Sequence, residues 1–337
     1  MGYDGRVLRR ARERFEADRT ARREELDRRR DALYQLRPRL RDLDQALRAT
    51  TGHVLAAAMR RGTDPLPELN RLRAENLRFQ AEKKAILREL GQDPDCLDDI
   101  PACPLCGDTG WQDGRLCHGK NCLRSYYAQE QQKELSKMLD LGNQSFDTFS
   151  LDFYPSRMCE YHISCRENMT HVLNICRRYA FEFGRLPKNL LMSGSTGLGK
   201  TFLSAAIARE VSGAGFSVVY DTAGNVFSRF EVEKFTREEA AGDDVSRVLS
   251  CDLLILDDLG TELSTAFVQT ALYRIVNTRI LEKRSTIIST NLIIETEKED
   301  DELSRRYTPQ IVSRLKGDYR MLRFLGDDIR QAKRMRR

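Results

Sequence analysis

Apolar residues in the first third of the chain fall on helical stripes. Leu33, Leu36, Leu40, Leu43 and Leu47 recur at spacings of three and four, and Val54 follows Leu47 by one heptad. Such an a/d seam belongs to a helix that packs on another helix. Pro38 interrupts it and predicts a kink or a fresh helix start. Residues 62–67, Gly-Thr-Asp-Pro-Leu-Pro, read as a turn. A second stripe follows in Leu69, Leu72, Phe79, Ile86 and Leu90, with Asn76 and Lys83 on the same face. Polar residues in a seam weaken it and fix its register. Gly91 and Pro94 close the pattern. Two antiparallel helices over residues 1–95 are expected, a coiled-coil-like arm that docks a partner or packs on its own domain.

Beyond residue 125 the period changes. A polar helix is expected over 126–141 and a second helix over 161–183. Short apolar runs come next, at 189–192, 216–220, 253–256 and 285–290, separated by helical spacing. Strands alternating with helices predict an α/β fold with a parallel sheet covered by helices.

The first run leads into Gly194-Ser195-Thr196-Gly197-Leu198-Gly199-Lys200-Thr201, which fits G-x-x-x-x-G-K-[ST]. The strand before it and the helix after it are the context a phosphate-binding P-loop needs. Glycines let backbone N–H groups turn toward the phosphates of ATP, and the helix N-terminus adds partial positive charge there. Lys200 would reach the β- and γ-phosphates, and the Thr201 hydroxyl would hold Mg²⁺. The third run ends in Asp257-Asp258, a Walker B pair. Asp257 would bind Mg²⁺ directly or through water. Asp258 would orient or deprotonate the attacking water. The fourth run ends in Asn291, placed to sense the γ-phosphate and hold that water. Phe146 and Phe149 precede the loop and are expected either to cover an adenine ring or to pack in the core.

Cys103-x2-Cys106, ten residues, then Cys117-x4-Cys122 is a four-thiol set suited to tetrahedral Zn²⁺. Gly110 and Gly114 suit a hairpin between the pairs. His118 is an alternative to Cys122 as fourth ligand, and Cys96 a remoter one. Cys159, Cys165, Cys176 and Cys251 lack ligand spacing and are expected as core thiols. Nine cysteines without an export signal favour a reducing, cytoplasmic setting. No apolar run approaches the ~20 residues of a membrane span. The net charge of +5 sits in the arm: residues 1–95 hold 23 Lys+Arg against 17 Asp+Glu, and the rest is near neutral. Interleaved acids make this a solvated helical surface first, and a face for an acidic partner second. Residues 226–237 mix Phe227, Phe230 and Phe235 with Arg229, Lys234 and Arg237. Such a mixture stacks bases or forms an amphipathic helix, and the helix is preferred.

The ordered set of P-loop, Asp257-Asp258-Leu259-Gly260, Ser289-Thr290-Asn291, Ser313-Arg314-Leu315 and Gly326-Asp327-Asp328-Ile329-Arg330 resembles a known group. It is similar to the AAA+ ATPases that load bacterial replicative helicases, the DnaC/DnaI-like members of the IstB-like ATP-binding superfamily. The resemblance covers residues 100–337 and extends to the arm only in character. It implies that Arg314 is an arginine finger for the γ-phosphate of a neighbouring subunit. It implies that Arg330 is a second sensor arginine for nucleotide in its own subunit. It further implies a hexameric replicative helicase bound through the N-terminal region, single-stranded DNA contacted by the ATPase domain, and self-association through ATPase domains. Two departures stand out. Many relatives have Glu where this chain has Asp258, and many close the cysteine module with C-x-C where this chain has Gly119 after His118.

The expected layout is a helical arm (1–95), a zinc module (96–125), a linker helix and lead-in (126–160) and an AAA+ ATPase domain (161–337). The expected function is ATP-dependent loading of the helicase onto single-stranded DNA in DNA replication, within the primosome. ATP binding and hydrolysis would serve as the assembly switch. The rivals are an IstB-like transposition regulator on duplex DNA and a nucleotide-gated adaptor with negligible turnover.

Overall fold

The computed structural model describes residues 2–59, 66–141, 143–159, 163–185, 188–235, 239–294 and 301–335. Two compact units emerge: Arg14–Thr109, and Gly110–Arg337 together with the first residues up to Glu13. Helix α1 (Gly5–Leu36) supplies residues to both.

In the first unit α1 ends at Leu36, and α2 (Arg39–Met59) starts just beyond Pro38. The ring fixes φ and removes an N–H, so it fits a helix start and not an interior. Helix α3 (Leu66–Glu89) runs back along α2. Arg39 pairs with Glu82 at 2.7 Å and Lys83 with Asp44 at 3.0 Å. These pairs tie the start of α2 to the end of α3, as antiparallel helices demand. Leu33, Leu40, Leu87 and Leu97 form a small core. The expected seam is only partly kept. Leu40 and Leu43 are buried, but Leu36 is 58% and Val54 39% exposed. Leu36 closes its helix, so its side chain leaves the stripe. The turn at 62–67 lies largely outside the described residues.

The second unit opens with a hairpin of β1 (Trp111–Gln112) and β2 (Arg115–Leu116). Its turn, Asp113-Gly114, has φ of 48° and 71°, the I′ pattern that matches strand twist. Helix α4 (Leu123–Leu135) follows, then α5 (Cys165–Phe181), started by a capping box of Ser164 and Glu167. The main sheet holds β3 (Leu190–Ser193), β4 (Val218–Thr222), β5 (Leu253–Leu259), β6 (Ser285–Thr290) and β7 (Arg320–Arg323). They are all parallel, in the order β4-β5-β6-β3-β7. Helices α6 (Lys200–Gly213), α7 (Ala223–Phe235), α8 (Glu239–Ser250), α9 (Ala266–Leu281), α10 (Glu302–Arg306), α11 (Pro309–Gly317) and α12 (Ile329–Met335) complete the unit. Leu190 and Met192 join one core and Leu191 the other, so helices cover both faces. This is a parallel α/β sheet with helices on both faces, and it places the P-loop at the C-terminal ends of the strands.

Three details depart from or refine the sequence reading. Strand β7 was not foreseen; Arg320 and Arg323 bracket it with charge, as befits a sheet edge. Phe227 and Phe230 of α7 are each 3% exposed and packed in the core, so they cannot stack bases; Arg237 lies outside the described residues. Cys159 and Cys165, expected as separate core thiols, are joined in a disulfide with Cα atoms 5.5 Å apart. Cys176 and Cys251 are buried thiols. Among the described residues no helix is long and apolar enough to cross a membrane.

Candidate functional site

The P-loop leaves β3 and ends in α6. Gly199, just before the helix, has φ of 90°. A Cβ on Gly197, at φ 82°, would lie 2.0 Å from Asp328 Oδ1. Glycine alone tolerates both conditions. Lys200 heads α6 and is only 5% exposed. Its Nζ donates to the carbonyls of Gly194 (2.6 Å) and Ser195 (2.8 Å) and to Asn291 Oδ1 (2.9 Å). None of these acceptors is charged. Burial pulls the Lys200 pKa down to about 8; Asp258 and Asp257 oppose the fall and Arg330 adds to it.

Asp257 and Asp258 owe their different directions to a bulge. Strand pairing runs Leu256 with Ile288, then Leu259 with Thr290, so β5 carries an extra residue. Asp258 sits in the bulge at φ 56°, a left-handed conformation that Asp adopts more readily than most side chains. It lines a cavity of about 280 Å³ together with Lys200 and Asn291. Burial, then the neighbouring Asp257, raise the Asp258 pKa above its ordinary value. Asp257 is 4% exposed and accepts from the Thr201 hydroxyl at 3.0 Å. Phe149, Phe153, Ile329 and Arg330 also line the cavity. Phe146 packs in the core instead.

Of the loop residues, Thr196 through Thr201 line the cavity, while Gly194 and Ser195 meet Lys200 through their carbonyls. Arg314 is not brought there. Its Nε and Nη2 donate to Asn277 Oδ1 at 3.1 and 2.8 Å, and its guanidinium lies 4.9 Å over the Tyr273 ring.

Three hydroxyls at the site escaped the sequence reading. Tyr220 on β4 and Ser289 on β6 both donate to Asp257. Burial, reinforced by Asp257, holds the Tyr220 phenol far above its ordinary pKa, so it remains a donor. Tyr154 donates to Leu198 O, inside the P-loop, at 2.8 Å. Ser289 lies in the quoted Ser-Thr-Asn triplet, which was the one available signal. The partners of Tyr154 and Tyr220 are set by topology.

The sulfurs of Cys103, Cys106, Cys117 and Cys122 all lie within 4.8 Å of one another. Cys103, Cys117 and Cys122 are buried, and none of the four is in a disulfide. Tetrahedral Zn²⁺, with Zn–S near 2.3 Å, needs sulfurs about 3.8 Å apart, so the cluster fits that ion. The Gly119 N–H points at Cys117 Sγ (3.5 Å), a contact that suits a thiolate. His118 is exposed, and Cys122 completes the four.

Comparison with known proteins agrees with this geometry. Residues 170–336 match the family of IstB-like ATP binding proteins. The replicative helicase loader DnaC of Escherichia coli (strain K12) is 32% identical over 139 residues, 40% of this chain and 55% of that protein. The chain thus spans about half the length of the curated loaders it matches. An uncharacterized protein of the same organism, YdaV, is 27% identical over 204 residues, 56% of this chain and 73% of its own. Among solved structures, that of a DnaC helicase loader superposes with a TM-score of 0.46 at 21% identity, covering 55% of this chain and 99% of that one. Residues 170–336, which hold the P-loop, the Asp257-Asp258 pair and Asn291, match the IstB-like ATP-binding family, and the chain is similar there to the DnaC loaders.

Proposed function

We propose that the chain is an ATP-dependent loader of a hexameric replicative helicase onto single-stranded DNA. The observation that carries this reading is Lys200: a buried cation whose hydrogen-bond acceptors among the described residues are neutral, lining a cavity of about 280 Å³ in a DnaC-like domain. A triphosphate supplies the missing negative charge. Thr201 and Asp257 are the residues to hold Mg²⁺, which neutralises charge on the β- and γ-phosphates when bound. Phe149 and Ile329 offer an apolar wall to the base. Asp258 orients the attacking water, and Asn291 exchanges its bond to Lys200 for one to that water or to the γ-phosphate. Arg330 reaches the phosphates of its own subunit. Arg314, away from its own cavity, completes the site of a neighbour. Loss of the γ-phosphate then dissolves the assembled state. Cys103, Cys106, Cys117 and Cys122 hold Zn²⁺, which supplies folding energy to a segment poor in apolar residues.

The test is capture of the replicative helicase of the same cell by the full chain in ATP and in ADP. Nucleotide-dependent capture is expected, and Lys200→Ala should abolish the dependence. No capture in either nucleotide overturns the loader reading. One rival is an IstB-like regulator that coats duplex DNA; cooperative ATP-dependent binding to duplex, with none to the helicase, would favour it. Metal analysis should find about one zinc per chain. Cys122→Ser should lose it and His118→Ala should keep it.

A further inference from the structure

The bulge that aims Asp258 has a structural debt. A bulged residue leaves the strand ladder, so its N–H needs another acceptor. Here the Asp258 N–H donates to Ser289 Oγ at 3.0 Å. The same hydroxyl spends its own proton on Asp257 Oδ1. Ser289 is fully buried, so water does not compete for either bond. The other oxygen of Asp257 accepts from Tyr220 as well as from Thr201. One serine thus touches both acidic residues at once, and the tyrosine touches only the first. Two residues beyond Ser289 on the same chain lies Asn291, bonded to Lys200.

We propose that Ser289 and Tyr220 are positioning residues: Ser289 pins the bulge that presents Asp258, and the two hydroxyls together fix the carboxylate of Asp257 that receives Mg²⁺ with ATP. The inference rests on the nucleotide site proposed above. It makes the two residues separable. Losing Ser289 disturbs both the metal-binding carboxylate and the water-orienting one. Losing the Tyr220 hydroxyl disturbs only the metal-binding one.

The experiment measures binding of a fluorescent ATP analogue to the full chain across a Mg²⁺ titration. In Tyr220→Phe and Ser289→Ala, affinity without Mg²⁺ should stay at the wild-type value. The Mg²⁺ concentration giving half the Mg²⁺-dependent tightening should rise about tenfold, as is usual when a partner of a metal ligand is removed. At saturating Mg²⁺, ATP turnover should survive in Tyr220→Phe. In Ser289→Ala it should fall as far as in Asp258→Asn, and the double variant should fall no further, because both changes disable one device. Ser289→Cys, similar in size with a weaker donor, should lie between, and matching thermal unfolding separates positioning from misfolding. Unchanged Mg²⁺ midpoints, or additive turnover losses, overturn the proposal. A wild-type chain that binds ATP without turnover refutes hydrolysis, while the Mg²⁺ titration still decides this point. A wild-type chain that binds no nucleotide overturns both.

Discussion

Two lysines of this chain are buried to nearly the same degree and are held in opposite ways. Lys83, in the helical arm, is 8% exposed and lies 3.0 Å from Asp44 and 2.9 Å from Asp98. Burial lowers its pKa, but bonds to the two carboxylates win and leave it raised. Lys200, in the P-loop, is 5% exposed and bonds neutral acceptors among the described residues, so burial wins. The difference is where the counter-charge comes from. The arm bonds Lys83 directly to two carboxylates, whereas Asp258 and Asp257 act on Lys200 electrostatically and are outweighed by burial. Arg279 marks a third solution. It is fully buried, and its guanidinium donates to the carbonyls of Val248, Leu249, Cys251 and Ser285 and to Thr286 Oγ1. Val248 and Leu249 close α8, whose C-terminal carbonyls carry the negative end of a helix dipole. Arginine suits this place because its planar fork of N–H donors can serve several carbonyls at once.

Substitutions at these three positions test the contrast. Arg279→Leu should cost the most, about 3–5 kcal/mol, because it strands several buried carbonyls; thermal unfolding of the ATP-binding unit reads this. Lys83→Met should cost about 2–3 kcal/mol, less than a fully buried pair because Asp98 is half exposed. Amide exchange along α2 and α3 is the suitable measurement, since the loss is local. Lys200→Met should have the opposite sign. The nucleotide-free protein should gain up to about 1 kcal/mol, because the burial penalty on this cation outweighs the pull of Asp258 and Asp257, while ATP binding weakens about 10- to 100-fold. A loss of stability in the empty protein would show that the neutral acceptors already satisfy Lys200.

The smallest effect is a pH dependence. Lys200 titrates near 8 in the fold and near its ordinary 10.5 when unfolded. Between those values the unfolded chain binds more protons, so stability contributed by this group rises with pH across that window. Below pH 8 both forms are protonated and the burial penalty is felt in full. The difference in stability between wild type and Lys200→Met should therefore shrink from pH 8 to 10. A constant difference would mean the lysine keeps its proton throughout.

The parts of the site that lie close together in sequence were the parts that could be read from it. The P-loop, with its strand and helix, is one continuous stretch, and Asp257-Asp258 sits at the end of an apolar run. The four thiols announce themselves because cysteine has few roles in such a spacing. What stayed hidden depends on register. Nothing in the residues around Tyr220 says that β4 lies beside β5, or that a bulge at Asp258 turns two adjacent carboxylates to different tasks. In the arm, the Leu36 stripe position was read from spacing and lost to Pro38, which ends the helix before the seam can use it. Lys83 was placed on the correct face, but its partners Asp44 and Asp98 come from other segments.

Tyr154 has a kinetic corollary. It is fully buried, and its hydroxyl props the backbone of the glycine loop at Leu198. The cradle is thereby shaped before any anion arrives, so little ordering has to accompany capture. Entry of ATP should then run close to the encounter rate. If the pocket takes ATP as proposed, the slow hand on the clock would be departure of the ligand, not loading of the pocket.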